Sequence, residues 1–212
     1  MQSMDHIVYV VDDDPRMCEA LLELLTSLNF RTISFRSASE YLRFDKPDLP
    51  ACLILDLRLP DANGLDLQNQ LSTLQHPPII FISGFGDIPS SVKAIKKGAI
   101  DFLPKPLHRE RLLEAVNEAL ARDVRVRAER GELNQLKHRF SKLTPRESEV
   151  LRWVVAGYLN KQAASELGIS EVTFQIHRGN IMRKTGAHSL AELVRMASKL
   201  EIPLPNKPSH LI

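Results

Sequence analysis

Residues 7–15 read IVYVVDDDP, and their pattern indicates the fold of the first half of the chain. It begins with five apolar residues, four of them β-branched, which predict a short buried β-strand. Three carboxylates and a proline follow. Because Asp is favoured at the N-cap of a helix and Pro at its first position, Asp14 and Pro15 predict the start of a helix. The stretch therefore predicts a strand that ends in an acidic turn and leads into a helix.

The same alternation of strand and helix recurs along the chain. The later strand and helix pairs are RTISF with SASEYLRF, ACLILDL with GLDLQNQLS, PIIFIS with IPSSVKAIKKG, and AIDFLP with HRERLLEAVNEAL. Five such units predict an α/β fold in which a doubly wound parallel sheet carries helices on both faces. In this kind of sheet the ligand site lies beyond the carboxyl ends of the strands, where the strand order reverses.

Polar side chains follow the predicted strands at the points where four of them end. They are Asp12 and Asp13 after strand one, Asp56 after strand three, Ser83 after strand four and Lys105 after strand five. Because the carboxyl ends of parallel strands meet at one edge of a sheet, we expect these groups to converge. Three carboxylates with a hydroxyl and an ammonium form an oxygen-rich pocket suited to Mg²⁺.

Asp56 is the preferred candidate for a nucleophile in this pocket. A carboxylate can attack phosphorus and form an aspartyl phosphate when a metal ion neutralises the repulsion between the anions. Lys105 and Ser83 would then hold the phosphoryl oxygens. A single Asp at a strand end is more often a helix cap or a turn former, as Asp14 is expected to be. The combination of acids after strands one and three with a lysine after strand five favours the site over that alternative.

The motifs VVDDD, LILDLRLPDANGLDL, FISG and DFLPKP resemble the receiver domain of bacterial two-component response regulators. The resemblance covers about residues 5–122, and we assign residues 1–122 to this domain. It implies a flavodoxin-like sheet of five strands in the order 2-1-3-4-5. It also implies that Asp56 accepts a phosphoryl group from a sensor histidine kinase.

The resemblance further implies a role for each polar residue of the pocket. Mg²⁺, with Mn²⁺ as a possible substitute, would be held by Asp13, Asp56 and the backbone carbonyl of Arg58, while Asp12 reaches the ion through water. Lys105 would pair with the phosphate, and Pro106 would follow a cis peptide bond. Ser83 and Phe102 match the family's switch pair, in which the hydroxyl moves to the phosphoryl group and the aromatic ring fills the vacated space.

The two halves of the chain carry opposite charge. Residues 1–120 have 12 Lys and Arg against 17 Asp and Glu, whereas residues 121–212 have 16 against 9. This division suggests two modules with different partners, the second a polyanion. Between them, residues 123–142 are strongly charged, and an apolar stripe at helical spacing continues into them, so we predict a helical linker. A solvated connector is favoured over the seam of a coiled-coil dimer because the heptads are too few.

The last part of the sequence is helical. Thr144, Pro145 and Glu147 predict an N-cap, a first helical residue and a capping box. A short helix, NKQAASELG, is stopped by Gly168, and the next helix starts at Ser170. Two short helices joined by a tight turn are typical of a helix-turn-helix. A last helix, SLAELVRMASKL, completes an all-α domain that, on this pattern alone, need not bind DNA.

The motifs LTPRE, AGYLNKQAASELGIS and VTFQIHRGNIMRK closely resemble the LuxR-type, or NarL/FixJ-type, DNA-binding domain, which we assign to residues 143–212. The resemblance implies a recognition helix from about Ser170 to Lys184 in the major groove of double-stranded DNA. It places Gln175, Ile176 and Gly179 at the bases and Asn160, Lys161, Thr173, Arg178 and Lys184 at the phosphates. Members of the family often have Lys at the positions of Gln175 and Gly179, so direct base readout is left open, with Arg178 as an alternative guanine contact.

The two resemblances together predict a DNA-binding transcriptional regulator, an activator by family habit, that is controlled by phosphorylation. Its expected partners are the sensor kinase, DNA, a second copy of the chain and RNA polymerase. Phosphorylation would either pair two receivers through the face of helix four and strand five, around Val92 to Lys97, or release the DNA-binding half from an inhibitory contact. We favour pairing.

Two other functions are weighed against this interpretation. A phosphotransferase of the haloacid dehalogenase type also uses Asp and Mg²⁺, but it normally carries a second Asp two residues after the nucleophile, where this chain has Arg58. A regulator that binds DNA without phosphorylation would use the receiver only for dimerisation. We expect no enzymatic activity beyond self-phosphorylation and slow dephosphorylation at Asp56.

The remaining features of the sequence indicate a cytoplasmic protein. With only Cys18 and Cys52, a disulfide framework or zinc site is not expected. No segment approaches the about 18 apolar residues of a membrane span, and the N-terminus lacks the basic and apolar regions of a signal peptide.

Overall fold

The computed structural model of the chain describes residues 6–84 and 88–205. The chain divides into two compact units, Met1–Arg127 and Ala128–Ile212. The first unit is an α/β domain and the second is all-helical. Each contains its own hydrophobic core.

The first unit contains a five-stranded parallel sheet in the order β2-β1-β3-β4-β5. Its strands are β1 Ile7–Val11, β2 Arg31–Phe35, β3 Ala51–Asp56, β4 Ile79–Ser83 and β5 Asp101–Pro104. Its helices are α1 Pro15–Ser27, α2 Ala38–Arg43, α3 Gly64–Leu71, α4 Ile88–Lys96 and α5 Arg109–Phe140, of which α5 continues into the second unit. The predicted fold and strand order are confirmed. The order reverses between β1 and β3, so the carboxyl ends of these two strands flank the switch point.

Both faces of the sheet are covered, which explains why β1 is apolar at every position. Ile7, Tyr9 and Val11 belong to the core on one face, together with residues of α2, α3 and α4. Val8 and Val10 belong to the core on the other face, together with residues of α1 and α5. Because alternate side chains of a strand point to opposite faces, a strand buried on both sides needs a continuous apolar run. The polar residues that follow it must therefore lie at the edge of the sheet.

Helix α5 contacts the segment around the start of β3 through Asp123 and Arg127. Asp123 on this helix is buried, and its Oδ2 accepts hydrogen bonds from the backbone N–H of Ala51 at 2.8 Å and from Arg127 Nε at 2.7 Å. Arg127 also pairs with Asp48. These contacts join residues 123–127 to the segment around the amino end of β3, and the start of the linker at residue 123 stays a prediction.

The second unit contains α6 Pro145–Val155, α7 Asn160–Glu166, α8 Glu171–Thr185 and α9 Leu190–Lys199, in addition to the end of α5. The predicted capping box of α6 is confirmed: the Glu147 backbone N–H donates to Thr144 Oγ1 at 3.2 Å, and the Thr144 N–H donates to Glu147 Oε2 at 2.8 Å. Gly168, at φ +64°, makes the tight turn between α7 and α8. The core of this unit includes Phe174, Ile181 and Leu193.

The part of the chain that the structure describes contains neither a candidate membrane-spanning helix nor a disulfide bond. Within residues 6–84 and 88–205, no helix combines the length and apolarity that a membrane crossing requires. Cys18 and Cys52 are both buried free thiols.

Candidate functional site

Three carboxylates meet at the carboxyl edge of the sheet. Asp12 and Asp13 directly follow β1, and Asp56 is the last residue of β3, which pairs with β1. Carboxylate oxygens of the three residues lie within 4.8 Å of one another. Asp12 is fully buried and Asp56 nearly so, whereas Asp13 is exposed. The structure thus brings together the acids that the sequence placed after strands one and three.

Lys105 lies between two of these carboxylates. Its Nζ donates to Asp12 Oδ2 at 2.6 Å and to Asp56 Oδ2 at 2.6 Å. Burial alone would lower the pKa of the Lys105 ammonium, but its hydrogen bonds to the two carboxylates outweigh burial and raise that pKa. For Asp12, burial is the dominant influence and raises its pKa despite the hydrogen bond from Lys105. A charged lysine therefore sits in the acidic cluster.

Backbone groups fix the remaining oxygens of the cluster. The N–H of Asp14 donates to Asp12 Oδ1 at 3.0 Å, and the N–H of Arg58 donates to Asp56 Oδ1 at 3.1 Å. The loop after β3 approaches its strand closely at Gly64, where an added Cβ would lie 2.6 Å from the carbonyl oxygen of Asp56. Only glycine fits this position without displacing the backbone that carries Asp56.

The donor set suits a hard divalent cation. Carboxylate oxygens of Asp12, Asp13 and Asp56 are the ligands that Mg²⁺ prefers, and an exposed side of the cluster leaves room for the waters that this ion retains. There is no cysteine or histidine among the three residues, so the set does not favour zinc. The residues present therefore fit the predicted Mg²⁺.

Ser83 and Phe102 lie on the neighbouring strands. Ser83 ends β4 and is buried, and its carbonyl oxygen accepts a hydrogen bond from the Lys105 N–H at 2.7 Å. Phe102 on β5 is half-buried and stacks on Phe81, with ring centroids 6.2 Å apart. The peptide bond between Lys105 and Pro106 is cis, as the resemblance to receivers implied.

Two further side chains join segments that follow the strands at this edge of the sheet, and neither was predicted from the sequence. Arg36, just after β2, donates from Nε and Nη2 to the backbone carbonyl of Asp13. Asp61, in the loop after β3, accepts hydrogen bonds from the N–H groups of Ala38 and Ser39 at the start of α2. Each contact joins residues more than 20 positions apart, and no local sequence pattern announces it.

A second candidate site lies on the helical unit. Helix α8 begins at the N-cap Ser170, and its exposed side chains include Gln175 and Ile176, with Gly179 also exposed. Asn160, Lys161 and Arg178 line one cleft of about 480 Å³, in which Arg178 Nη1 donates to Asn160 Oδ1 at 3.1 Å. The structure thus groups three of the predicted phosphate contacts.

The other two predicted phosphate contacts do not line this cleft and have internal contacts of their own. Thr173 Oγ1 lies 2.8 Å from Ser170 Oγ at the start of α8. The Nζ of Lys184 donates to Glu147 Oε2 at 2.6 Å, and the Glu147 side chain is almost fully buried. Lys184 therefore differs from the other predicted DNA contacts, because its ammonium joins α8 to the N-terminus of α6. Its contact with a DNA phosphate stays a prediction.

Family models match both units of the chain. The response regulator receiver domain matches residues 8–117, and the family described as bacterial regulatory proteins of the luxR family matches residues 141–197.

Proteins of similar sequence match almost the whole chain. Nodulation protein W of Bradyrhizobium diazoefficiens is 47% identical over 92% of this chain and 87% of its own length. The response regulator protein TodT of Pseudomonas putida is 45% identical over 95% of this chain and 89% of its own. A solved structure of the response regulator StyR is 44% identical, with a TM-score of 0.82, and the match covers 92% of this chain and 99% of that one.

Proposed function

Because the chain belongs to the NarL/FixJ family of two-component response regulators, we propose that a sensor histidine kinase controls its activity by phosphorylating Asp56. The chain is a DNA-binding transcriptional regulator. The observation that carries the proposal is the bridge that Lys105 makes between Asp56 and Asp12 at the carboxyl edge of the sheet. We further propose residues 1–122 as the receiver, 123–142 as a helical linker and 143–212 as the DNA-binding domain.

Asp56 would act as the nucleophile. A carboxylate oxygen attacks the phosphorus of a phosphohistidine, an O–P bond forms and the N–P bond breaks, and the departing imidazole nitrogen keeps the electron pair and takes up a proton. The hydrogen bond from the Arg58 N–H to Asp56 Oδ1 supports this role because it limits rotation of the carboxylate and so reduces the entropic cost of the attack.

The metal site would be made of hard oxygen donors. We propose that Asp13, Asp56 and the carbonyl oxygen of Arg58 hold Mg²⁺, or Mn²⁺ in its place, and that Asp12 reaches the ion through a water molecule. When bound, the ion neutralises the repulsion between the attacking carboxylate and the phosphoryl oxygens. The burial of Asp12 supports its indirect role, since the exposed Asp13 is the more accessible ligand.

Lys105 would exchange partners during phosphorylation. Its ammonium pairs with both Asp12 and Asp56 before the reaction, and its raised pKa keeps it charged at neutral pH. Once a phosphoryl group is attached to Asp56, the ammonium can pair with a phosphoryl oxygen, a stronger hydrogen-bond acceptor with more negative charge.

The switch pair would carry this change to the surface. Ser83 moves towards the phosphoryl group, and Phe102 swings into the space that it leaves. Phe102 is on β5 beside α4, where Val92 and Ile95 expose apolar side chains. We propose that this face then pairs two receivers. The exposed apolar residues support the idea because such patches often become buried in protein interfaces.

The helical unit would bind double-stranded DNA through α8. Gln175, Ile176 and Gly179 would face base edges. The phosphates would be contacted by Asn160, Lys161, Thr173, Arg178 and Lys184. The exposure of Gln175, Ile176 and Gly179 supports their assignment to the bases. The cleft that Asn160, Lys161 and Arg178 share supports their assignment to the phosphates. With its DNA in the bacterial cytoplasm, the protein would act there, and we propose that it activates transcription through RNA polymerase.

A phosphorylation experiment tests the central proposal. The full chain is incubated with acetyl phosphate and Mg²⁺, and its intact mass is measured. We expect one added phosphoryl group, absent in Asp56→Ala and retained in Asp45→Asn, which alters an exposed aspartate outside the site. Analytical ultracentrifugation and DNA-binding measurements, with and without acetyl phosphate, then test whether phosphorylation changes the oligomeric state and the DNA affinity.

The outcomes separate the three candidate functions. Unchanged oligomeric state and DNA affinity after phosphorylation would exclude pairing as the switch. Absence of an adduct on the wild type would favour a regulator that binds DNA without phosphorylation. Multiple turnover of small phosphate esters would favour the dehalogenase-type enzyme, although Arg58 stands where that class has its second Asp.

A further inference from the structure

The backbone of Asp13 is held by a side chain from a different strand. Arg36 directly follows β2, and its Nε and Nη2 donate to the carbonyl oxygen of Asp13 at 3.1 Å and 2.8 Å. Both donors belong to one edge of the planar guanidinium and converge on one acceptor. This geometry fixes the carbonyl more firmly than a single hydrogen bond does.

Arg36 is itself fixed by the start of α2. Its backbone N–H donates to Glu40 Oε2 at 2.7 Å, while the Glu40 N–H donates to the N-cap hydroxyl of Ser37 at 3.1 Å. The capped helix therefore sets the backbone from which the Arg36 side chain reaches the acidic loop. Although Arg36 is exposed, its position is determined by ordered neighbours.

The carbonyl groups on both sides of Asp13 are held as well. Cys18 Sγ lies 3.2 Å from the carbonyl oxygen of Asp12, and the Cys18 N–H donates to the carbonyl oxygen of Asp14 at 3.1 Å. Arg36 supplies the remaining contact in this turn. Three successive carbonyl groups between β1 and α1 thus have partners.

The carboxylate of Asp13 is left available. Within the part of the chain that the structure describes, no ion pair or hydrogen bond involves the Asp13 carboxylate, although Arg36 is a cation bound to the same residue. An arginine that paired with the carboxylate would compete with a metal ion. An arginine that binds the backbone can orient the ligand without occupying it.

We propose that Arg36 is a positioning residue for divalent-cation binding, which acts by holding the Asp13 backbone so that the carboxylate meets those of Asp12 and Asp56. The proposal rests on the metal site of the proposed function. The positioning role predicts the opposite of what the charge of Arg36 alone would predict. Removing a positive charge near a cation site should tighten cation binding, whereas removing a positioning contact should weaken it.

Calorimetric titration of Mg²⁺ into the metal-free full-length protein distinguishes these effects. We expect Arg36→Ala to raise the Mg²⁺ dissociation constant about tenfold, as is usual when a group that orients a metal ligand is lost. Arg36→Lys keeps the charge but lacks two donors on one planar edge, so it should also bind Mg²⁺ more weakly. Arg43→Ala removes an exposed arginine from α2 and should bind as the wild type does.

Ionic strength provides a second measurement. A charge effect shrinks at high salt, because exposed charges are screened, whereas a positioning effect persists. We therefore expect the ratio of the Arg36→Ala and wild-type dissociation constants to stay about the same in low and high KCl. Unfolding temperatures measured without Mg²⁺ show whether each variant is folded.

Different results overturn different claims. Mg²⁺ binding by Arg36→Ala that equals or exceeds that of the wild type overturns the positioning role while the metal site stands. A wild type that does not bind Mg²⁺, or an Asp13→Asn variant that binds it unchanged, overturns the metal site and the positioning role together.

Discussion

Lys105 Nζ lies 2.6 Å from Asp56 Oδ2, so the nucleophile candidate and its counter-charge are already in contact. The same ammonium is 2.6 Å from Asp12 Oδ2. Without a metal ion, this lysine is the positive charge that allows two mostly buried carboxylates to lie side by side. The contact links the stability of the receiver to its chemistry, because phosphorylation would change the partners of one ammonium.

Lys105→Gln should destabilise the metal-free receiver by about 2 kcal/mol, because it leaves two buried carboxylates without their cation. Mg²⁺ should restore part of this loss and should stabilise the variant more than the wild type. Differential scanning calorimetry of the full chain, with EDTA and then with Mg²⁺, measures both effects. Lys96→Gln, at an exposed position of α4, is the control. An equal loss of stability in the two variants would contradict the prediction.

Gly64→Ala should destabilise the receiver by about 2 kcal/mol or more, because its Cβ would lie 2.6 Å from the Asp56 carbonyl oxygen. It should also slow phosphorylation by acetyl phosphate, since the displaced backbone carries Asp56. Gly131→Ala is the matched control. It lies within α5, has no atom within 4 Å of the added Cβ, and should stabilise the helix by about 0.5–1 kcal/mol. Chemical unfolding and intact-mass kinetics measure the two consequences.

Glu147 makes the helical unit sensitive to acid. Burial alone would raise the pKa of its carboxyl group, but hydrogen bonds from Lys184 and the Thr144 N–H outweigh burial and hold that pKa below its ordinary value of 4.5. Because the folded pKa is the lower one, this stabilisation is complete above the unfolded pKa and is lost as the pH falls through the folded pKa.

Fluorescence of Trp153, the one tryptophan of the chain, can follow unfolding of this unit between about pH 6 and pH 3. Glu147→Gln should lower the stability at pH 6 and flatten its pH dependence. Glu149→Gln, which removes half of an exposed ion pair with Arg146, should do neither. A wild-type stability that does not change across this range would contradict the assignment.

Asp123→Ala should destabilise the first unit by about 3 kcal/mol, because it leaves the Ala51 N–H and the Arg127 guanidinium without their buried acceptor. The affinity for Mg²⁺ should not change, since Ala51 begins β3 and the acidic cluster lies at its other end. Urea unfolding and calorimetry test the two statements. Glu129→Ala, on an exposed position of the same helix, serves as the control.

Lys161→Ala and Gln175→Ala should affect DNA binding in different ways. Loss of a phosphate contact weakens binding to all sequences and reduces the slope of log affinity against log salt by about 1. Loss of a base contact relaxes selectivity and leaves the slope unchanged. Titration of a selected operator and of random DNA over a range of KCl concentrations separates these effects. Equal behaviour of the two variants would contradict the proposed division of contacts.

Much of the fold was predictable because it depends on local patterns. The apolar run before Asp12 could only be buried in a sheet covered on both faces, and the structure confirms that position of β1. The capping box of Thr144 and Glu147 spans one helical turn and was likewise readable from the sequence. The contacts of Asp123 with Ala51 and Arg127 were not predicted, since Asp123 reads as one more charged residue in a charged segment.

The order of residues along the chain determined that acids and a lysine follow parallel strands, and hence that Asp12, Asp13, Asp56 and Lys105 meet at one edge. Only the folded structure determined which distant polar groups meet, at this edge and elsewhere. The contacts of Arg36 with Asp13, Asp123 with Ala51 and Lys184 with Glu147 join residues 23, 72 and 37 positions apart. Strand and helix periodicity reports which face of an element is buried. It does not report which distant polar group lies opposite, because that depends on how the folded elements pack.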